Sequence, residues 1–199
     1  MSKSTRNRAQ QQRKNALTER HTPWGGIIFF TVIGLVAAVA VTFAYLSSRP
    51  PSTEIAGLVE KDGLADGHTT SPVQYDASPP MGGDHDPAWQ SCDARVYDRP
   101  LRNENAVHSL EHGAVWITHR PDLHISQLAA LSQRVKAVDY TMMSPYPDLD
   151  SPIVLTAWGR QLKVDDASDP RIGRFLQAFV KGPQTPEKGA PCNGGKETA

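Results

Sequence analysis

The sequence predicts an α+β fold, one small extracytoplasmic domain with a short sheet and two packed helices, preceded by a single transmembrane helix. Three features carry this expectation: an uncharged apolar run at residues 24–46, two later stretches with apolar residues at helical spacing, and apolar β-rich runs between and around them. With 199 residues, 39% of them hydrophobic, the chain has room for one core plus accessory segments.

Residues 1–23 carry Lys3, Arg6, Arg8, Arg13, Lys14 and Arg20 against Glu19 alone, a net +5, and since the whole chain is neutral the remainder stands at −5. An acidic remainder argues against nucleic acid as a partner, because phosphate neutralisation needs a basic face. Residues 24–46, WGGIIFFTVIGLVAAVAVTFAYL, are long enough as a helix to cross a hydrocarbon core of roughly 30 Å. Trp24 and Tyr45 stand near its ends, where amphipathic rings favour the headgroup layer. A cleaved signal peptide would have an apolar region of only about 7 to 15 residues, so an uncleaved anchor is expected. The basic tail places the N-terminus in the cytoplasm and residues after 46 outside the cell membrane.

Residues 47–64 open with Ser and Pro and read as a linker. The domain is expected over 65–192 and a flexible tail over 193–199. Ala114 to Thr118, AVWIT, reads as a buried strand. Ile125, Leu128, Leu131, Val135 and Val138 make one helical stripe. The runs PIVLTAW and QLKV flank Gly159-Arg160, which suits a hairpin turn. Asp169 and Pro170 start the last helix, whose face is Ile172, Phe175, Leu176, Phe179 and Val180. Cys92 and Cys192, the only cysteines, fall in the expected oxidising compartment and are predicted to pair. Two free thiols or metal ligands are the alternative, without CxxC spacing to support it.

Five of seven histidines, His68, His85, His108, His112 and His119, fall within 52 residues of the least regular stretch. His108 and His112 are four apart and share a helix face if Asn105 caps a short turn ended by Gly113, so both can meet one metal. Two structural histidines near a helix C-terminus are the plainer explanation of that spacing. His108, Glu111 and His112 also match H-x-x-E-H, a zinc-peptidase signature with Glu111 as general base, but the signature needs a sustained helix and Gly113 follows at once. In PPMGGDHD, residues 79–86, His85 stands between Asp84 and Asp86 on a Gly-Gly turn. Met81 in this loop offers a thioether, which would favour copper; Met142 and Met143 fit core packing better.

The segments GHTTSPVQYDASPPMGGDH, ENAVHSLEHGAVWITHRPDL, SPYPDLDSPIVLTAWGRQL and GAPC resemble the bacterial domain-of-unknown-function family 3105, mostly single-span membrane proteins. The resemblance covers about residues 65–192. It implies that His68, His85, His108 and His112 recur together with Glu111. Family members often have Ser or Thr before the loop Gly where this chain has Met81 and a second Gly.

The expectation is therefore a membrane-anchored histidine-rich domain in which His68, His85, His108 and His112 bind copper or zinc for storage, sensing or delivery. Asp84, Asp86 and Glu111 would orient the rings or complete the coordination, with Met81 a further candidate ligand. Two rivals stand beside it. One is a zinc hydrolase using His108, Glu111 and His112, which catalytic geometry would have to justify since no nucleophile or open position is evident. The other is a non-metal envelope domain that binds protein partners, with Trp89, Trp116 and Trp158 as aromatic anchors. No nucleotide, flavin or haem motif is present.

Overall fold

A computed structural model describes residues 24–47 and 54–199. The basic tail at 1–23 and most of the expected linker, residues 48–53, lie outside the described residues. Helix α1, Trp24–Ser47, contains a 22-residue stretch with mean hydropathy 2.7, long and apolar enough to cross a membrane. Its two threonines turn their hydroxyls back onto the helix, Thr31 to the Ile27 carbonyl at 2.9 Å and Thr42 to the Ala38 carbonyl at 2.8 Å. That leaves no unsatisfied side-chain donor on either.

The rest of the described chain is an α+β unit built on one mixed six-stranded sheet. In chain order the strands are β1 (Leu58–Glu60), β2 (Asp93–Val96), β3 (Val115–His119), β4 (Thr141–Pro145), β5 (Ile153–Ala157) and β6 (Arg160–Val164); the helices are α2 (Asn103–Glu111), α3 (Ile125–Lys136) and α4 (Pro170–Phe179). The sheet order is β1-β6-β5-β3-β4-β2. β3 and β4 are parallel and joined through α3, the crossover that a parallel pair demands, whereas β5 and β6 form an antiparallel hairpin. Gly159, at φ +64°, makes that hairpin turn possible; a Cβ there would lie 2.5 Å from the Lys61 carbonyl oxygen.

Alternation along the strands sorts the core into two faces. Val115, Ile117, Met143, Ile153, Leu155, Leu162 and Val164 pack with Leu131 and Val135 of α3 and with Ile172, Phe175 and Phe179 of α4. On the opposite face Trp116 and Met142 pack with Ala106, Val107 and Leu110 of α2 and with the Cys92–Cys192 disulfide. The sheet thus separates the two predicted helices from α2, which the sequence showed only as a short turn around the histidines.

Several boundaries differ from expectation. The folded unit reaches back into the expected linker: Ile55 is buried and β1 pairs with β6. Residues 193–199, expected as a flexible tail, lie beside residues 89–91, with Lys196 N–H donating to the Trp89 carbonyl and Ser91 N–H to the Lys196 carbonyl. On α3 the stripe is narrower than predicted, because Leu131 and Val135 are buried while Ile125 is exposed. Met142 and Met143 are buried in β4, as core packing predicts.

Candidate metal centre

The site is assembled on α2 and on the loops that precede it. Helix α2 is short but almost wholly buried, since residues from Glu104 to Glu111 lie between the sheet and the 68–91 segment. Asn105 does not cap it. Arg102 occupies the N-cap position without a side-chain cap, and the Asn105 amide donates to the Ala88 carbonyl instead. Gly113 ends the helical stretch at φ +101°, where a Cβ would come 3.1 Å from Lys181 Cα. His108 and Glu111, three residues apart, share the face turned toward the loops.

Loop residues bring two more imidazoles to that face. The backbones of His68 and His85 form a parallel bridge, with His85 N–H donating to the Gly67 carbonyl at 2.9 Å and Thr69 N–H to the His85 carbonyl at 2.7 Å. Arg102 ties the segment down by pairing with Asp86 at 2.5 Å and Glu104 at 3.0 Å while donating to the Thr70 carbonyl. Glu104 in turn accepts from Val73 N–H. Asp84 accepts from Gly67 N–H at 3.1 Å, and its carbonyl accepts from the Tyr75 hydroxyl.

The result is a convergence of four ligand atoms from His68, His85, His108 and Glu111, all within 4.8 Å of one another. Glu111 Oε2 lies 2.9 Å from His85 Nε2, 3.9 Å from His68 Nε2 and 4.0 Å from His108 Nε2. His85, His108 and Glu111 are buried, whereas the His68 side chain is about half exposed. His85 Nδ1 donates to the Gly83 carbonyl at 2.8 Å and His108 Nδ1 to the Asp86 carbonyl at 2.7 Å. Those bonds fix the tautomer and aim the Nε2 lone pairs at Glu111, the arrangement that backbone carbonyls give to metal-ligating histidines.

Electrostatics sharpen the point. Burial holds the imidazolium forms of His85 and His108 below the usual histidine range, so both rings are neutral near pH 7. Burial, aided by Glu187, pushes the Glu111 carboxyl up to about 7. With Nδ1–H already committed, the 2.9 Å His85 Nε2–Glu111 Oε2 contact needs a proton or a cation between two lone pairs. In a tetrahedral zinc site with bonds of about 2.0–2.1 Å, neighbouring ligand atoms lie about 3.3 Å apart. The separations of 2.9, 3.9 and 4.0 Å from Glu111 bracket that value.

The other residues singled out in the sequence are placed differently. The His112 ring stands edge-on to His108 at 4.6 Å, but its Nδ1 donates to the Pro191 carbonyl and its Nε2 lies 3.8 Å from Glu187, so it is not among the four convergent groups. Met81 is buried and its carbonyl accepts from Gly159 N–H. Asp84 and Asp86 serve the loop through Gly67 and Arg102 rather than supplying ligand atoms to the group. Trp116 is a core residue bonded to Ser144. Trp158 flanks His85, and Trp89 flanks His108 and His112, so these two rings form walls of the site. Nothing in their spacing marks them for this role; only the fold brings them to the histidines.

A family model described as protein of unknown function (DUF3105) matches residues 68–194. The chain belongs to this family. The match begins at His68 and takes in His85, His108, Glu111 and both cysteines, so every group of the convergent site lies inside the DUF3105 domain. No curated protein and no solved structure matches the chain.

Proposed function

We propose that this DUF3105 protein is a membrane-anchored, extracytoplasmic metal-binding domain, in which His68, His85 and His108 through Nε2 and Glu111 through its carboxylate hold one divalent transition-metal ion. The convergence of those four atoms, with two rings pre-oriented by backbone carbonyls, carries the reading. Three imidazoles and a carboxylate form a borderline donor set that suits zinc(II) or copper(II). Both cysteines are in the disulfide, so the set contains no thiolate of the kind that selects copper(I). Half-exposed His68 provides the route by which an ion enters and leaves, which fits storage, sensing or delivery. The apolar helix α1, the basic tail and the disulfide support a location outside the membrane with the N-terminus in the cytoplasm.

One observation favours a second reading. A carboxyl with pKa about 7 beside three imidazoles also suits a general base next to a water on a three-histidine zinc ion. Glu111→Gln separates the two. In titrations of the full chain with zinc(II) and copper(II) against a chelator of known affinity, a ligand role predicts at least about tenfold weaker binding for Glu111→Gln. Unchanged affinity assigns Glu111 to the base role, and no specific binding by the wild type overturns both.

A further inference from the structure

Of the two clustered histidines outside the candidate metal centre, His112 is held by the Pro191 carbonyl, and His119 lies elsewhere. It ends β3 on the same face as Val115 and Ile117, the face covered by α3. There it lines a pocket of about 590 Å³ together with Val96, Ile125, Leu128, Met143 and Pro145. This pocket shares no lining residue with the convergent site. Its apolar rim is uncovered, Ile125 being 73% exposed and Val96 39%.

The polar groups of the pocket are few and specific. His119 is 6% exposed and its Nδ1 donates to the Arg120 carbonyl at 2.8 Å, so Nε2 is a lone pair with no partner among the described residues. Burial also keeps this ring neutral. The Tyr97 hydroxyl is engaged with the Ser91 carbonyl, which leaves the Ser132 hydroxyl and, as the single charged lining residue, Asp98. Without a Lys or Arg in its lining, the pocket has nothing to neutralise an anion, and Asp98 repels one.

We propose that this pocket binds a small, uncharged, mainly apolar molecule carrying one O–H or N–H donor, which His119 Nε2 receives. The size lies in the range of small-molecule sites, and a mostly apolar wall with one directed acceptor is how such sites combine affinity with orientation. A ligand lacking the donor leaves a buried acceptor unpaired and binds more weakly. Apolar surface of Val96, Ile125 and Leu128 then leaves water on binding.

The test follows ¹³C-methyl resonances of Met143 and Ile125 in the full chain in detergent micelles. The probes are 4-phenylphenol, 4-methylbiphenyl, which lacks the donor, and biphenyl-4-carboxylate, which is anionic. Saturable shifts with 4-phenylphenol are expected, with about fivefold weaker binding of 4-methylbiphenyl and weaker binding still of the carboxylate. His119→Phe should level the first two probes, and Leu128→Trp, which fills the pocket from a half-buried position, should remove saturable binding. No saturable shift with 4-phenylphenol, equal binding of all three probes to the wild type, or undiminished binding to Leu128→Trp overturns the proposal. The wild-type comparison alone decides the donor requirement if His119→Phe does not fold.

Discussion

At Glu111 both burial and the surrounding groups disfavour a bare carboxylate. Burial, with Glu187, makes the ionised carboxylate costly and raises its pKa to about 7, and the Nε2 lone pair of neutral His85, 2.9 Å away, needs a proton or a cation between them. A proton on Glu111 answers that contact alone, whereas a divalent ion would answer it and take the lone pairs of His68 and His108 as well. Replacing either of the buried rings, His85→Ala or His108→Ala, is expected to lower zinc(II) affinity by more than tenfold in chelator competition. Arg102 acts at one remove, through Asp86, Glu104 and the Thr70 carbonyl, which hold the loop that carries His68 and His85. Arg102→Met should therefore weaken metal binding by about 10-fold while leaving stoichiometry at one ion per chain. His119, outside the site, tests the effect of burial without metal. Its folded pKa is depressed below 6.5, so its contribution to stability is fully present above 6.5 and is lost as pH falls from there through the depressed folded value. The decline in the urea midpoint between pH 7 and pH 5 should be shallower in metal-free His119→Gln than in the metal-free wild type.

Among the elements, α2 decides whether the site exists. The histidine clustering, the His108–Glu111 spacing and the strand at AVWIT were legible in the sequence because they are local patterns. The convergence was not, since it depends on a backbone bridge between His68 and His85 and on carbonyls of Gly83 and Asp86 that leave no mark in composition. The same limit explains His112. A four-residue spacing aligns it with His108 on a helix, but the chain leaves the helix at Gly113 and the Pro191 carbonyl from the C-terminal segment captures its ring. Helices α3 and α4 were readable from their apolar stripes, whereas β1 and the 196–198 segment were not, because their pairing partners lie about 100 residues away in sequence. Gly113→Ala tests how tightly the helix end is specified. Adding a Cβ at φ +101°, 3.1 Å from Lys181 Cα, should destabilise the fold by about 1–3 kcal/mol and weaken metal binding as α2 shifts. At the other end of the core, Asp169 accepts from Arg171 N–H at 2.8 Å and caps α4, so Asp169→Ala should cost about 1 kcal/mol in chemical denaturation with metal affinity unchanged.

For the molecule as a whole, the disulfide closes a span of 100 residues between the segment that carries Trp89 and the segment that carries Pro191. In the chain-entropy account a loop of that length stabilises by up to about 4.7 kcal/mol, and paired Cys92→Ser and Cys192→Ser replacements should lower stability by about 2–5 kcal/mol. The apolar helix and its basic tail make the protein an anchored one in our reading, so protease added to right-side-out vesicles should digest the DUF3105 domain and spare residues 1–23. The central claim is the four-residue metal centre, and the most direct test is elemental analysis of the full chain purified from membranes, beside the His85→Ala and His108→Ala double variant. One zinc or copper ion per wild-type chain, lost in a double variant that keeps its circular dichroism spectrum, is the predicted result. A wild-type chain without stoichiometric metal that also takes up neither ion on titration, or a double variant that retains the ion, would contradict the account.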